Sequence, residues 1–281
     1  MLNSPEFSIQ EVVPGVSAIF GGICNRGIIA SQGDVLVVDS GMSVAEATPL
    51  RAQADKLRNG GALTLFNTHP HPDHVFGNQV FADAPIVAQQ GVRDVLVNAG
   101  EQVLAGIKQN PQMAARIGDI KLTPPTLTFQ DQLTLFVGEI EVQLIYFGVA
   151  HSPSDSIAWL PQSKTLFTGD LLFNNLVPAS PPGGSVANWI SFLARLEQLG
   201  AEHVIPGHGP IQDPSALGVL RTWFETLYAQ VKEAVEHDSS RETAIATLPA
   251  RMQAIAPRML EERFPRIIEV VYDEVLRTPN K

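Results

Sequence analysis

Apolar runs rich in β-branched residues, separated by Gly and Pro, fill residues 7–40 and predict the strands of a first sheet. These runs are Phe7–Val13, Val16–Phe20, Gly27–Ala30 and Val35–Val38. A capping-box pattern of Ser43 and Glu46 then predicts a helix that continues to about Arg58 and stops at two glycines. The next apolar run, Leu63–Phe66, predicts a buried strand.

The central part of the chain changes from loop to helix and then back to strands. A polar, proline-spaced loop, Asn67–Asp73, precedes a short helical pattern at His74–Phe81. The pattern of residues 89–118 predicts helices with a break around Asn110 and Pro111. This segment is a candidate lid. Four strand-like runs follow, namely Leu133–Val137, Ile140–Phe147, Ser156–Leu160 and Thr165–Thr168. Strands followed by helix occur twice, which predicts an α/β fold of two similar half-layers.

The C-terminal part is helical in pattern. Ser185–Leu199 is amphipathic, as expected of a helix that packs on a sheet. Three further helices are predicted. The first extends from Asp213 to about Glu236, the second begins at Ser239, and the third extends from Glu262 to Leu276. We therefore predict a main domain at residues 1–212 and a helical C-terminal extension, 213–281, packed on it.

Composition and charge narrow the class of protein. The chain has 281 residues, 44% of them hydrophobic and 17% charged, which is typical of a globular protein with a substantial core. Its formal net charge is −10 without any Lys/Arg cluster, which argues against nucleic acid and anionic membranes as partners. The one cysteine, Cys24, rules out an intramolecular disulfide and indicates a reducing compartment. We also expect no thiol near the metal ligands described below.

The amino terminus has neither a basic start nor an apolar run of signal-peptide length. No segment approaches the ~18 uninterrupted apolar residues of a membrane span, since even Leu133–Gly148 contains two glutamates. We therefore expect a cytoplasmic protein that acts on a small molecule and has no membrane partner. The amphipathic C-terminal helices leave homo-oligomerisation open.

The loop after the predicted strand Leu63–Phe66 carries the chemistry. Four metal-capable side chains lie within six positions: His69, His71, Asp73 and His74. Spacing by two in an extended loop points His69 and His71 in the same direction, so both can reach one ion. Imidazole with carboxylate suits zinc, iron or manganese. Packing alone explains this loop poorly, because unpaired imidazoles and a carboxylate would cost several kcal/mol of desolvation.

Three further candidate ligands follow strand-like runs later in the chain. They are His151, Asp170 and His208. Each alone is a weak indication, but five of the seven histidines belong to the combined set. We therefore expect these side chains to meet at the end of a sheet.

Together these residues resemble the metallo-β-lactamase superfamily, whose fold is a four-layer αββα sandwich with a metal site at one edge of its two sheets. The resemblance covers about residues 7–212 and includes Asp39, an aspartate that ends an early strand. It implies that the first metal is bound by His69, His71 and His151. It implies that the second is bound by Asp73, His74 and His208, with Asp170 bridging both. It also implies that Asp39 supports the ligand loop through hydrogen bonds without being a ligand.

The resemblance implies a dinuclear metal-dependent hydrolase that attacks a carboxylic ester, lactone or thioester with a metal-bridging hydroxide. Asp73 and Asp170 are the implied catalytic carboxylates, and the cofactors are two divalent ions, with zinc preferred over iron or manganese. A ligand set with a bridging aspartate and no metal-binding cysteine is similar to that of glyoxalase II and acyl-lactone hydrolases. A basic cluster for glutathione is not evident, and apolar or neutral candidate walls, 89–118 and Asn174–Gly184, favour an uncharged or hydrophobic substrate.

Three alternatives stay open on the same residues. A β-lactam hydrolase would use the same site, although such enzymes are normally exported. A mononuclear iron sulfur dioxygenase shares the ligand loop and would bind one iron per chain. A cyclase-type member would use the metals without net hydrolysis.

Overall fold

A computed structural model describes residues 7–173, 183–253 and 263–277. In this described part the strands form two sheets, of seven and five strands. The first sheet has its strands in chain order: β1 Ser8–Val13, β2 Val16–Phe20, β3 Arg26–Ser31, β4 Asp34–Val38, β5 Leu63–Asn67, β6 Ile86–Gln89 and β7 Leu127–Phe129. The second sheet has the order β12-β11-β10-β9-β8, with β8 Gln132–Val137, β9 Ile140–Tyr146, β10 Ser156–Leu160, β11 Thr165–Phe173 and β12 His203–His208.

Strand direction brings distant parts of the sequence to one edge. In the first sheet β4, β5, β6 and β7 run parallel, with Val38 opposite Phe66. In the second sheet β11 and β12 run parallel, with Phe173 opposite His208. Because parallel strands end at the same edge, the residues that follow β4 and β5 are neighbours. The ends of β11 and β12 are neighbours for the same reason.

Nine α-helices accompany the two sheets in the described part of the chain. They are α1 Val44–Leu57, α2 Pro72–Val75, α3 Gln90–Asn98, α4 Gly100–Lys108, α5 Pro111–Ile117, α6 Val186–Gln198, α7 Ser215–Glu236, α8 Arg241–Gln253 and α9 Phe264–Arg277. Ser43 caps α1 by accepting a hydrogen bond from the Glu46 backbone N–H, as the sequence predicts. The Glu46 carboxylate accepts from the backbone of Met42, one residue earlier than in a regular capping box.

The two sheets pack face to face through an apolar layer. Leu36 and Phe66 of the first sheet belong to one buried cluster with Leu144 and Phe167 of the second. A separate cluster joins the outer face of the first sheet to α1. The outer face of the second sheet packs on α6 to α9. The resulting order of helix, sheet, sheet and helix confirms the predicted αββα sandwich.

The C-terminal helices share their core with the second sheet. Trp223 of α7 and Ile268 of α9 are buried in the same cluster as Leu166 of β11. The division at residue 212 stays a prediction, since the C-terminal helices and the second sheet share one buried cluster. Glu262, the predicted start of the last helix, lies outside the described residues. Within the described ranges, no helix has both the length and the apolar character needed to cross a bilayer.

Several elements differ from the sequence prediction. The helix after the ligand loop begins at Pro72, because proline favours the first helical position, and it continues as a 3-10 turn, Phe76–Phe81. The predicted break at Asn110 is present, and a second break occurs at Ala99. Strand β11 extends five residues past the predicted run and contains Asp170.

The apolar layer between the sheets should dominate stability. We predict that Phe66→Ala lowers the free energy of unfolding by about 3–5 kcal/mol, because Phe66 is fully buried and its removal leaves a cavity. Phe136→Ala is the matched control, since Phe136 is 69% exposed on β8. Denaturant unfolding of both variants measures the difference. Equal losses in the two variants would contradict this description of the core.

Candidate metal centre

The ligand loop begins where β5 ends. Thr68, His69 and Pro70 form a bend after the strand, and His71, which is extended, is the N-cap residue of α2. Pro72 then fixes the first helical position, which turns the chain so that the next two side chains face back toward the loop. The prolines thus hold a short segment in the shape that clusters its imidazoles and carboxylate.

Four of the predicted ligands form a first group, which comprises His69, His71, His151 and Asp170. His71 Nδ1 lies 3.0 Å from His69 Nε2 and 2.8 Å from His151 Nε2. Asp170 Oδ2 lies 3.3 Å from His151 Nε2 and 3.6 Å from His69 Nε2. All four donor atoms therefore point into one small volume.

The remaining predicted ligands form a second group of Asp73, His74 and His208. Asp73 Oδ2 lies 3.4 Å from His208 Nε2 and 3.6 Å from His74 Nε2. Asp170 Oδ1 lies 3.2 Å from His74 Nε2 and 3.3 Å from His208 Nε2. The two oxygens of Asp170 thus face different groups, as a bridging carboxylate would. The structure brings together all seven side chains singled out in the sequence, while their role as ligands stays a prediction.

The donor set fits divalent cations. Nitrogens bound to one tetrahedral zinc ion lie roughly 3.3 Å apart, and the spacings in the first group are close to this value. His74 Nε2 and Asp170 Oδ1 are buried and make no hydrogen bond within the described part of the chain. Buried polar atoms without a hydrogen-bond partner are rare unless a cation or a water molecule contacts them. An ordinary surface salt bridge does not explain this arrangement, because both side chains are buried.

Burial and neighbouring charges shift the pKa values of the histidines in this site in opposite directions. Burial, with a contribution from His151, lowers the pKa of His71 to about 3, and burial lowers the pKa of His69 well below its usual value. Both imidazoles are therefore neutral and offer lone pairs. Burial opposes protonation of His74, but the surrounding ionisable groups, including Asp39 and Asp170, raise its pKa well above the usual value. Metal binding at the second group must therefore displace a proton.

Asp39 connects the two early strand ends. Its Oδ1 accepts from the Thr68 backbone N–H and its Oδ2 from Thr68 Oγ1, both at 2.8 Å. The same Oδ2 lies 2.8 Å from His74 Nδ1. Once metal binding has displaced the Nε2 proton, a proton kept on Nδ1 by Asp39 would leave the Nε2 lone pair facing Asp170. This is the hydrogen bonding expected of Asp39 as a support of the ligand loop.

The expectation that no thiol lies near the ligands is wrong. Cys24 is buried in the loop between β2 and β3, and its Sγ donates a hydrogen bond to the backbone oxygen of Asp73 at 2.8 Å. Burial raises the pKa of the Cys24 thiol to about 11, so it is protonated and can donate. The same loop supplies the Ile23 carbonyl, which lies 2.9 Å from His208 Nδ1. No sequence signal shows this contact, because 49 positions separate Cys24 from Asp73.

Gly207 is a second residue that sequence reasoning missed. It directly precedes His208, and a Cβ at this position would overlap Asp170 Oδ1. The absence of a side chain lets the backbone of β12 approach the carboxylate closely. In the sequence, a glycine on either side of His208 is equally typical of a tight turn, so the pattern does not indicate this contact.

Aromatic side chains form one wall of the site. The Phe173 ring is stacked on the His208 ring, with centroids 5.2 Å apart, and lies 5.6 Å from the His151 ring. Trp189 lies 5.5 Å from His151 and is fully buried, as expected for the apolar face of the helix predicted at Ser185–Leu199. Residues 174–182 of the candidate wall Asn174–Gly184 lie outside the described residues. The helices of residues 89–118 pack on Val75 and Phe76, next to the ligand loop, and their role as a mobile lid stays a prediction.

Comparison with known proteins identifies the family. The model of the metallo-beta-lactamase superfamily matches residues 19–208, which include every predicted ligand. The chain belongs to this superfamily of metal-dependent hydrolases.

Three curated relatives illustrate its range. A linear primary-alkylsulfatase from Pseudomonas sp. is 21% identical over 215 residues, covering 65% of this chain and 40% of the relative. The alpha subunit of a 2,4-dinitroanisole O-demethylase from Nocardioides sp. is 26% identical over 207 residues, covering 73% and 58%. A type 2 metallo-beta-lactamase from Bacteroides fragilis is 29% identical over 92 residues, covering 31% and 37%. The chain thus spans less than three fifths of each relative.

Solved structures share the fold. The sec-alkylsulfatase Pisa1 from Pseudomonas sp. superimposes with a TM-score of 0.74 at 17% identity, covering 95% of this chain and 50% of that one. The metallo-beta-lactamase DIM-1 superimposes with a TM-score of 0.63 at 24% identity, covering 79% of this chain and 98% of that one. At these identities the likeness concerns the fold alone.

The contact at Gly207 can be tested by adding one methyl group. We predict that Gly207→Ala displaces Asp170 and weakens zinc affinity about 10-fold or more, the size of effect seen when the surroundings of metal ligands are disturbed. Gly106→Ala in α4 is the control, because open space surrounds Gly106 and alanine favours helix. Chelator competition measures both affinities. Wild-type affinity in Gly207→Ala would contradict the close approach.

The hydrogen bond from Cys24 predicts different effects on zinc affinity for two substitutions of this residue. Cys24→Ala removes a donor worth about 0.5–1.5 kcal/mol and should loosen the turn that carries Asp73 and His74, lowering zinc affinity several-fold. Cys24→Ser keeps a donor and should stay near wild-type affinity. Zinc titration of both variants checks the order. Equal affinities for the alanine and serine variants would show that the hydrogen bond is irrelevant to the site.

Proposed function

We propose that this chain is a dinuclear metal-dependent hydrolase that cleaves a carboxylic ester, lactone or thioester. The observation that carries the proposal is the placement of the two Asp170 oxygens, each within 3.6 Å of nitrogens from a different group. One carboxylate can therefore contact two cations. Zinc is the preferred metal, with iron or manganese as alternatives, because imidazole and carboxylate suit all three.

Divalent cations, when bound in such a pair, supply an acidified water as nucleophile and polarise the bond to be cleaved. The protein residues hold and orient this chemistry. Neutral His69 and His71 offer lone pairs, and the Asp39 carboxylate fixes the orientation of the His74 ring. Because Asp170 is only 4% exposed, it is shielded from bulk water and is assigned a bridging role.

Asp73 is assigned the proton delivery step. Its side chain is 17% exposed, more than that of Asp170, and its Oδ2 faces both His74 and His208. A carboxylate at the boundary between the site and solvent can take up a proton and pass it to a leaving group. The aromatic wall of Phe173 and the absence of a basic cluster in the sequence support an uncharged or hydrophobic small-molecule substrate.

Hydrolysis of a sulfate ester is a second candidate. The sec-alkylsulfatase Pisa1 corresponds to 95% of this chain, whereas the β-lactamase DIM-1 corresponds to 79%. The sulfatase likeness therefore reaches into the C-terminal helices, which lie beyond the family match at residues 19–208. The curated primary-alkylsulfatase also matches 65% of this chain, against 31% for the β-lactamase, so the sulfate ester, although anionic, is the second class of substrate to be tested.

Metal content and turnover test the proposed function together. We expect two zinc ions per chain by elemental analysis, and turnover of at least one ester, lactone, thioester or alkyl sulfate in a small panel that also includes a β-lactam. Asp170→Asn should lower kcat/KM by about 100-fold or more, since the bridging charge is lost. Asp94→Asn, on the exposed face of α3, is the matched control and should stay active.

Other results would point elsewhere. One iron ion per chain with oxygen-dependent turnover of a persulfide would contradict hydrolysis and support the sulfur dioxygenase alternative. Two bound ions with no net hydrolysis across the panel would support a cyclase-type or binding role.

A further inference from the structure

Glu274 of α9 is placed against the start of α6. Its Oε1 accepts from Ser185 Oγ at 2.6 Å, and its Oε2 accepts from the backbone N–H groups of Val186 and Ala187 at 3.0 and 3.3 Å. These amides have no partner within the helix, and a carboxylate here also interacts favourably with the helix dipole. The C-terminal helix therefore fixes the position at which the 13-residue α6 begins.

The start of α6 adjoins the first metal group. The Ser185 backbone N–H donates to the Ala150 carbonyl at 2.8 Å, and Ala150 is the residue before His151. One helical turn further on, the Trp189 ring lies 5.5 Å from the His151 ring. A shift of α6 would therefore move both the backbone and the packing surface that locate His151.

Trp189 also links α6 to the strand that carries Asp170. Its Nε1 donates to the Leu171 carbonyl at 3.0 Å, one residue after Asp170. On its other side Trp189 packs on Phe224 of α7, with ring centroids 4.8 Å apart. The tryptophan is thus held between the C-terminal helices and the metal centre.

The second metal group is attached to different parts of the fold. The His74 ring is oriented by Asp39 after β4, and His208 Nδ1 lies against the Ile23 carbonyl in the loop after β2. Asp39 and Ile23 both follow strands of the first sheet, whereas α9 packs on the second sheet. A disturbance at α9 should therefore reach the two groups unequally.

We propose that Glu274 is a positioning residue for the first metal group, acting through the N-terminus of α6 to hold His151 in place. The C-terminal helices then contribute to the position of the metal-binding side chains and do not form an independent unit. This proposal rests on the dinuclear centre of the proposed function, but it concerns metal affinity and does not depend on which substrate is cleaved.

The test measures zinc affinity in two single-site backgrounds of the full chain. His208→Ala leaves the first group to bind zinc, and His71→Ala leaves the second. We expect Glu274→Gln to weaken zinc binding about 10-fold in the His208→Ala background and less than about 2-fold in the His71→Ala background. Chelator competition gives the affinities, and thermal unfolding of each variant reports any general loss of stability.

Glu269→Gln is the matched control, since it makes the same change in charge on the same helix and Glu269 pairs with Arg266 of that helix. It should leave both affinities unchanged. Equal weakening in both backgrounds, or a lowered melting temperature with unchanged affinities, would overturn the proposal and make Glu274 a general stabilising residue. A wild-type chain that binds no zinc, iron or manganese would overturn the metal centre and this proposal with it. Zinc binding without hydrolysis of any substrate would overturn only the proposed function.

Discussion

A carboxylate buried among imidazoles is the constraint on which this structure depends. Asp170 is 4% exposed, and its two oxygens face nitrogens of two different histidine groups. Removing such polar groups from water costs several kcal/mol unless hydrogen bonds or cations replace the solvent. Asp170 Oδ1 and His74 Nε2 make no hydrogen bond in the described part, so in the protein alone only the charge of nearby histidines offsets this cost. Divalent cations are the partners that this donor set suits.

The fold meets this constraint by bringing strand ends and loops to a single edge. The parallel pairing of β4 with β5 places Asp39 beside Thr68, and that of β11 with β12 places Asp170 beside Gly207. Asp39 itself adopts a positive φ of 59°, a conformation that aspartate tolerates better than most residues. A local backbone cost is thus accepted where the carboxylate must orient the ligand loop.

Much of the fold class and all seven clustered side chains could be predicted from the sequence. Polar ligands that follow apolar strands are conspicuous, because both the strand pattern and the His-x-His-x-Asp-His spacing are local. Strands β6 and β7 escaped prediction, since runs of four and three residues carry little pattern. Cys24, Gly207 and Glu274 escaped for another reason: each acts through a contact with residues distant in sequence or through the absence of a side chain.

The central claim is that two cations occupy the space between the histidine groups, joined by Asp170. Anomalous diffraction from crystals grown with zinc tests it most directly. We expect two peaks, one among His69, His71 and His151 and one among Asp73, His74 and His208, with Asp170 in contact with both. An ordered site with neither peak, and with these side chains turned apart, would contradict it.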